Sequence, residues 1–205
     1  MSPQESIQLI GQVIEEAKTR FRENGFIYVF WGLFISVIAL AQFVLLYNEF
    51  YAISWYPYLA VPFGMVFTLL YYRKKKKRRT TNQISTIIGS TWIVLAINKM
   101  ILGFFFAPTL GENLSPVILI LLAIGILVSG IALKSNILII SSFCINIAGI
   151  LCFYVDWLYQ PLVLSASSFL AVMLPGMYLF VQSKNRNQST RSVRNAWIFR
   201  PNEKQ

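Results

Sequence analysis

The sequence predicts an all-α membrane protein: a bundle of six transmembrane helices arranged as three hairpins, plus a short N-terminal amphipathic cytoplasmic helix. Three observations predict it. Apolar residues make up 56% of the 205 and charged residues only 13%, about half the charged share of ordinary soluble domains. Six apolar runs approach the roughly 20 residues that a helix needs to cross a bilayer core of about 30 Å. Of the 18 basic residues, 17 fall before the first run, in alternate connections between the runs or after the last. A water-soluble chain this apolar would expose contiguous apolar surface and associate, whereas lipid solvates the same side chains.

Residues 2–23 read as a helix outside the membrane. Ser2, Pro3 and Glu5 make a capping box with proline at the first helical position. Ile7, Ile10, Ile14, Ala17 and Phe21 then recur on one face. The opposite face mixes Glu15, Glu16, Arg20 and Glu23, unlike the strongly basic face of a lipid-surface helix. The apolar face is expected either to pack on the cytoplasmic ends of the bundle or to dock a protein partner. The next apolar run is too long for a signal h-region, so no cleavable signal peptide is expected. Three parts follow: 1–25 as the amphipathic cytoplasmic helix, 26–182 as the six-helix transmembrane domain, and 183–205 as a basic tail expected to be disordered.

The six spans are 26–47, 55–72, 84–106, 117–133, 137–155 and 161–181, and Lys99 is the one formal charge inside them. Backbone groups in hydrocarbon must be satisfied within the segment, so each run is helical. None has the alternation of a barrel strand. Pro57, Pro116 and Pro161 stand near the starts of the three return helices, where a missing N–H is tolerated. The first and third hairpins are faintly alike, with Trp55-Tyr56-Pro57 and Pro62-Phe63-Gly64-Met65 against Trp157…Pro161 and Pro175-Gly176-Met177. A duplicated hairpin or chance would each account for that.

Orientation comes from Lys and Arg. Lys18, Arg20 and Arg22 precede the first span. Arg73, Lys74, Lys75, Lys76, Lys77, Arg78 and Arg79 follow the second, Lys134 marks the turn after the fourth, and Lys184, Arg186, Arg191, Arg194, Arg200 and Lys204 fill the tail. In a six-span chain these lie on one side, which makes both termini cytoplasmic. The opposite loops hold no base, only Glu49, Glu112 and Asp156. The run 73–79 holds its linker in the cytoplasm, and contact with anionic lipid is a compatible further role. With the bases so placed, the net charge of +10 argues for the lipid bilayer as partner, and no nucleic acid is expected.

The chain has no histidine, which removes the usual zinc and haem ligand and the commonest general base. No HExxH motif, Ser-His pair or intramembrane pair of carboxylates is present. No catalytic residue, metal or cofactor is expected. Cys144 and Cys152 lie on one run about 12 Å apart by helical rise, too far to bridge.

One intramembrane feature stands out. Gln42, Asn98, Lys99 and Asn146 fall at similar depth on the outward-running spans, roughly 7 to 14 Å beneath the outer boundary. Ser165, Ser167 and Ser168 come to that depth on the sixth, and Pro62 would free a carbonyl there on the second. A buried charge at a bilayer's centre costs at least ~2.5 to 3.5 kcal/mol. Side chains lean toward a helix's N-terminus, here the far cytoplasmic end, so Lys99 is expected to turn into the bundle and pair with Asp156, Glu112 or Glu49. Such a pair would be a structural lock or would line a pocket for an anionic or polar ligand. Snorkelling to the outer surface is the alternative.

The stretches FIYVFWGLFISVIALA (26–41), LLAIGILVSGIALK (121–134) and LPGMYLFVQSK (174–184) resemble an uncharacterised six-span integral membrane protein family of Bacteroidetes. The resemblance implies a multi-pass protein of the bacterial inner membrane and carries over no functional residue. The expected function is a non-enzymatic regulatory or complex-forming membrane component. The alternative is a small-molecule or ion binder or transporter that uses the polar layer around Lys99.

Overall fold

The computed structural model describes residues 25–75 and 83–181, with the backbone alone for 74, 75 and 83–85. The helix expected over 2–23, most of the basic linker and the tail from 183 lie outside the described residues. The described residues form helices α1 (Gly25–Tyr47), α2 (Val61–Lys75), α3 (Gln83–Phe104), α4 (Leu114–Leu133), α5 (Asn136–Cys152) and α6 (Gln160–Val181). Short helical turns at Tyr51–Ile53, Tyr56–Ala60, Ala107–Leu110 and Gly111–Asn113 complete them, and no strand occurs among the described residues. Five helical stretches are long and apolar enough to cross a membrane. The sixth, α5, is apolar but has 17 residues, about 25 Å by its rise.

Local chemistry accounts for where elements depart from the sequence expectation. The fifth run stops at Cys152 rather than 155. Beyond it the N–H groups of Phe153, Tyr154 and Val155 donate to carbonyls three residues back, at 3.3, 3.0 and 3.2 Å, and so tighten the chain into a turn. Pro57 sits in the Tyr56–Ala60 turn, and Pro161 opens α6. Pro62 frees no carbonyl: it is the second residue of α2, and the Val61 N–H already donates to the Tyr58 carbonyl. At a helix start the missing N–H costs little.

The centre of the bundle is α4 with α5 and α6. Leu119, Ile126, Leu138, Ile145 and Leu164 are its largest fully buried side chains. α4 and α5 form a tight antiparallel hairpin. Its turn is a Schellman motif in which the Ser135 N–H donates to the Gly130 carbonyl at 2.9 Å and the Lys134 N–H to Ile131 at 3.1 Å. Lys134 occupies the left-handed position at φ 50°, where glycine is the usual residue.

α1 lies antiparallel against α6 at backbone distance. A Cβ on Gly25 would fall 2.6 Å from the Phe180 nitrogen, one on Gly32 2.6 Å from the Met173 nitrogen, and one on Gly176 2.7 Å from Tyr28 Cβ. This is small-residue packing of the kind that lets helices approach in lipid. The Ser165 hydroxyl donates to the Ser36 carbonyl at 2.9 Å, and the two hydroxyls lie 3.0 Å apart. Within α6, Phe169–Met173 winds as a π-helix beside Gly32.

α2 and α3 are the least enclosed helices. α2 leans on α1, and α3 on α4. At the end of the bundle that carries Glu49 and Asp156, ring contacts tie the connections together: Tyr51 to Trp157 at 5.9 Å and Phe43 to Tyr159 at 6.1 Å.

Candidate functional site

The site is built where α3 meets α4. Gly125 of α4 has no side chain to hold α3 off: a Cβ there would lie 2.7 Å from Leu95 Cδ1 and 3.4 Å from Trp92 Cη2. The Trp92 indole therefore lies against α4, and its Nε1 donates to the Ser129 hydroxyl at 3.0 Å. That hydroxyl in turn donates to the Gly125 carbonyl at 2.8 Å. Tyr28 of α1 meets the indole edge-on, with centroids 6.3 Å apart. The Lys99 ammonium stands over the same ring, 5.8 Å from its centroid. A cation over an indole face is attracted by the ring quadrupole, by about 0.5–1 kcal/mol when exposed and about 2 or more when desolvated.

The same clamp occurs between α1 and α2. Trp31 Nε1 donates to the Thr68 hydroxyl at 3.0 Å, across the same 37-residue separation as Trp92 and Ser129. Thr68 donates to the Gly64 carbonyl at 2.9 Å, and a Cβ on Gly64 would meet Trp31 Cη2 at 3.2 Å. Tryptophan on one helix and Gly-x-x-x-Ser/Thr on the next thus make one geometry twice. Seven residues beyond the tryptophan, the second copy has Lys99 and the first has the buried Ile38. The clamp closes a helix pair without a charge, so Lys99 is an addition to it. The hydrogen-bonded resemblance links the first two helix pairs, whereas the sequence likeness noted above links the first and third. Trp92, Ser129 and Gly125 escaped sequence reasoning, although the repeated 37-residue spacing was there to be read.

No protein family, curated protein or solved structure matches the chain.

The residues of the expected polar layer fall into separate local arrangements. Gln42 accepts from the Tyr58 hydroxyl at 2.9 Å. Asn98, exposed, donates to the Val94 carbonyl of its own helix at 2.9 Å. Ser165 bonds to Ser36 across the α1–α6 contact. Ser168 is buried, and its hydroxyl has no hydrogen-bond partner among the described residues. Asn146 is half-buried on α5.

Lys99 is half-buried, and the Trp92 ring is its one polar or ring contact among the described residues. It makes no ion pair there with Asp156, Glu112 or Glu49. The lean of the side chain toward the helix N-terminus explains why: it carries the ammonium back to Trp92, away from the loops that hold those acids. Asp156 instead accepts the Leu158 N–H at 2.9 Å. Of the run 73–79, the side chain of Arg73 alone is described.

Proposed function

We propose that the chain is a multi-pass component of the bacterial inner membrane, of the six-span type it resembles, and that it works by assembling with another membrane protein rather than by catalysis. Six apolar helices suit six crossings. Every Lys and Arg except Lys99 then lies on the cytoplasmic side with both termini, and the run 73–79 meets anionic lipid there. One observation carries the assembly reading: α3, among the least enclosed helices, holds a cation for which no counter-charge is found among the described residues. An uncompensated charge inside a membrane is costly and marks a functional contact. Cross-linking in intact membranes tests the reading. The expected result is a defined heteromeric product at a fixed size, and recovery of the monomer alone would refute it.

The second reading, a binder of a small polar molecule or ion, is favoured by the Ser168 hydroxyl. It is buried, has no partner among the described residues and stands at the start of the π segment, a feature frequent at functional sites. In that case Ser168→Ala abolishes stabilisation by the bound species. Under the assembly reading it leaves cross-linking unchanged.

A further inference from the structure

The helical glycines of this chain mark places where another helix comes close. Among the described residues, every glycine of α1, α2, α4, α5 and α6 would drive a Cβ to within 2.6–3.1 Å of a neighbour. So would Gly125 against α3 itself. The two glycines of α3 differ: as at Gly111 in the turn before α4, a Cβ on Gly89 or Gly103 would meet nothing within 4 Å among the described residues. With Ala96 between them they recur every seven residues and so lie along one side of the helix. Lys99 comes three residues after Ala96 and four before Gly103, which puts it at the edge of the same stripe, beside the seam with α4.

We propose that this face of α3 docks a transmembrane helix of a different protein, one that carries an Asp or Glu near the middle of its span. The small residues admit a close backbone, and the cation selects the partner. A second copy of this chain cannot fill the role, because no Asp or Glu occurs in any of its six described helices. Depth argues against an anionic lipid headgroup as the counter-charge. The Lys99 Cα lies five residues or about 8 Å from the Phe104 end of α3, and its side chain carries the ammonium further from that end, toward Trp92. Headgroups lie at the bilayer surface, about 15 Å from its centre. A carboxylate held by a helix can stand at any depth. The clamp between α1 and α2, which closes with Ile38 in the corresponding place, shows that packing α3 on α4 does not call for Lys99. The charge is therefore free for a partner. The proposal rests on the assembly reading above and names its contact surface.

The test uses the full chain, labelled at Asn113→Cys in a Cys144→Ala background and reconstituted in phosphatidylcholine vesicles. Its probes are synthetic Leu/Ala transmembrane helices that differ in one central residue, Asp or Leu. Energy transfer should show the Asp helix associating about 5- to 30-fold more tightly, the range set by polar contacts of about 1–2 kcal/mol between model helices. Lys99→Met should remove that preference, and Lys99→Arg should retain it. Gly103→Ile should weaken binding of the Asp helix while leaving the thermal stability of the free chain unchanged. Equal binding of the two helices, or an Asp preference that survives Lys99→Met, overturns the proposal. So does stoichiometric, Lys99-dependent binding of oleate without any Asp preference, which would assign the cation to an anionic amphiphile. The cross-linked complex in native membranes separates this proposal from the assembly reading. If it persists undiminished with Lys99→Met, the α3 contact fails and assembly stands. If the wild type gives no complex, assembly itself fails.

Discussion

Gly32→Ala is the substitution whose effect the packing specifies most closely. The new Cβ would stand 2.6 Å from the Met173 nitrogen and 2.8 Å from its Cα, both backbone atoms that no rotamer change can move. α1 and α6 must separate or shift. Overpacking of this kind costs about 1–3 kcal/mol. Separation also weakens the Ser36–Ser165 contacts at 2.9 and 3.0 Å, each worth about 0.6 kcal/mol between membrane helices. Against this stands a helix-propensity gain of up to about 1 kcal/mol for alanine over glycine. The net loss is about 1–3 kcal/mol, or roughly 2–12 °C in Tm at about 2–4 °C per kcal/mol for a chain of this size. Cys152, fully buried, reports unfolding through a thiol-reactive dye in a Cys144→Ala background in mild detergent. Gly103→Ala, with open space around its Cβ, is the internal control and should be neutral or slightly stabilising. A Gly32→Ala variant that melts no lower than Gly103→Ala would refute the reasoning.

In a six-span chain with both termini cytoplasmic, cysteines placed at Asn48 and Asn113, both exposed, should label from outside intact cells. Labelling at Thr81 or Gln188 from outside would invert the proposed orientation. Replacing Lys74, Lys75, Lys76 and Lys77 with Gln should lower affinity for anionic-lipid nanodiscs while leaving helix content unchanged, and an unaltered lipid preference would reduce the run to a determinant of topology. Trp31→Phe and Trp92→Phe each remove one 3.0 Å hydrogen bond, a loss of about 0.6 kcal/mol. Trp92→Leu, which removes the ring face as well, should in addition couple to Lys99→Met in a double-mutant cycle by about 0.5–2 kcal/mol. Ile38→Met beside Trp31→Phe should show no such coupling.

The helices were legible because hydropathy and length act along the chain, and α1, α3 and α6 fall within two residues of their expected limits. The end of α5 was not, since apolar Phe153 and Tyr154 continue the run while the backbone has already turned. The unusual cation was legible, but its neighbour was not. Charge and depth point Lys99 toward the acids, whereas Trp92, seven residues earlier, is an apolar letter whose ring face attracts a cation only once both are placed on the helix. The α1–α6 contact was hidden for a related reason. Gly25, Gly32 and Gly176 look like ordinary members of apolar runs, and their role shows only when two helices distant in sequence are side by side. The π segment of α6 has no signature in its letters.

That contact also orders the protein's biosynthesis. α1 leaves the ribosome before every other described helix, yet the surface that receives Gly25, Gly32 and Ser36 belongs to α6, the last of them. Until residues 160–181 have entered the bilayer, the Ser36 hydroxyl lacks its partner across the bundle and the groove beside Gly32 stands open to lipid. A nascent chain arrested before residue 160 would hold α1 against α2 through Trp31 and Thr68 and the Phe30–Phe67 ring contact but leave its α6 face open, and this unclosed form is the one that membrane quality-control proteases would meet.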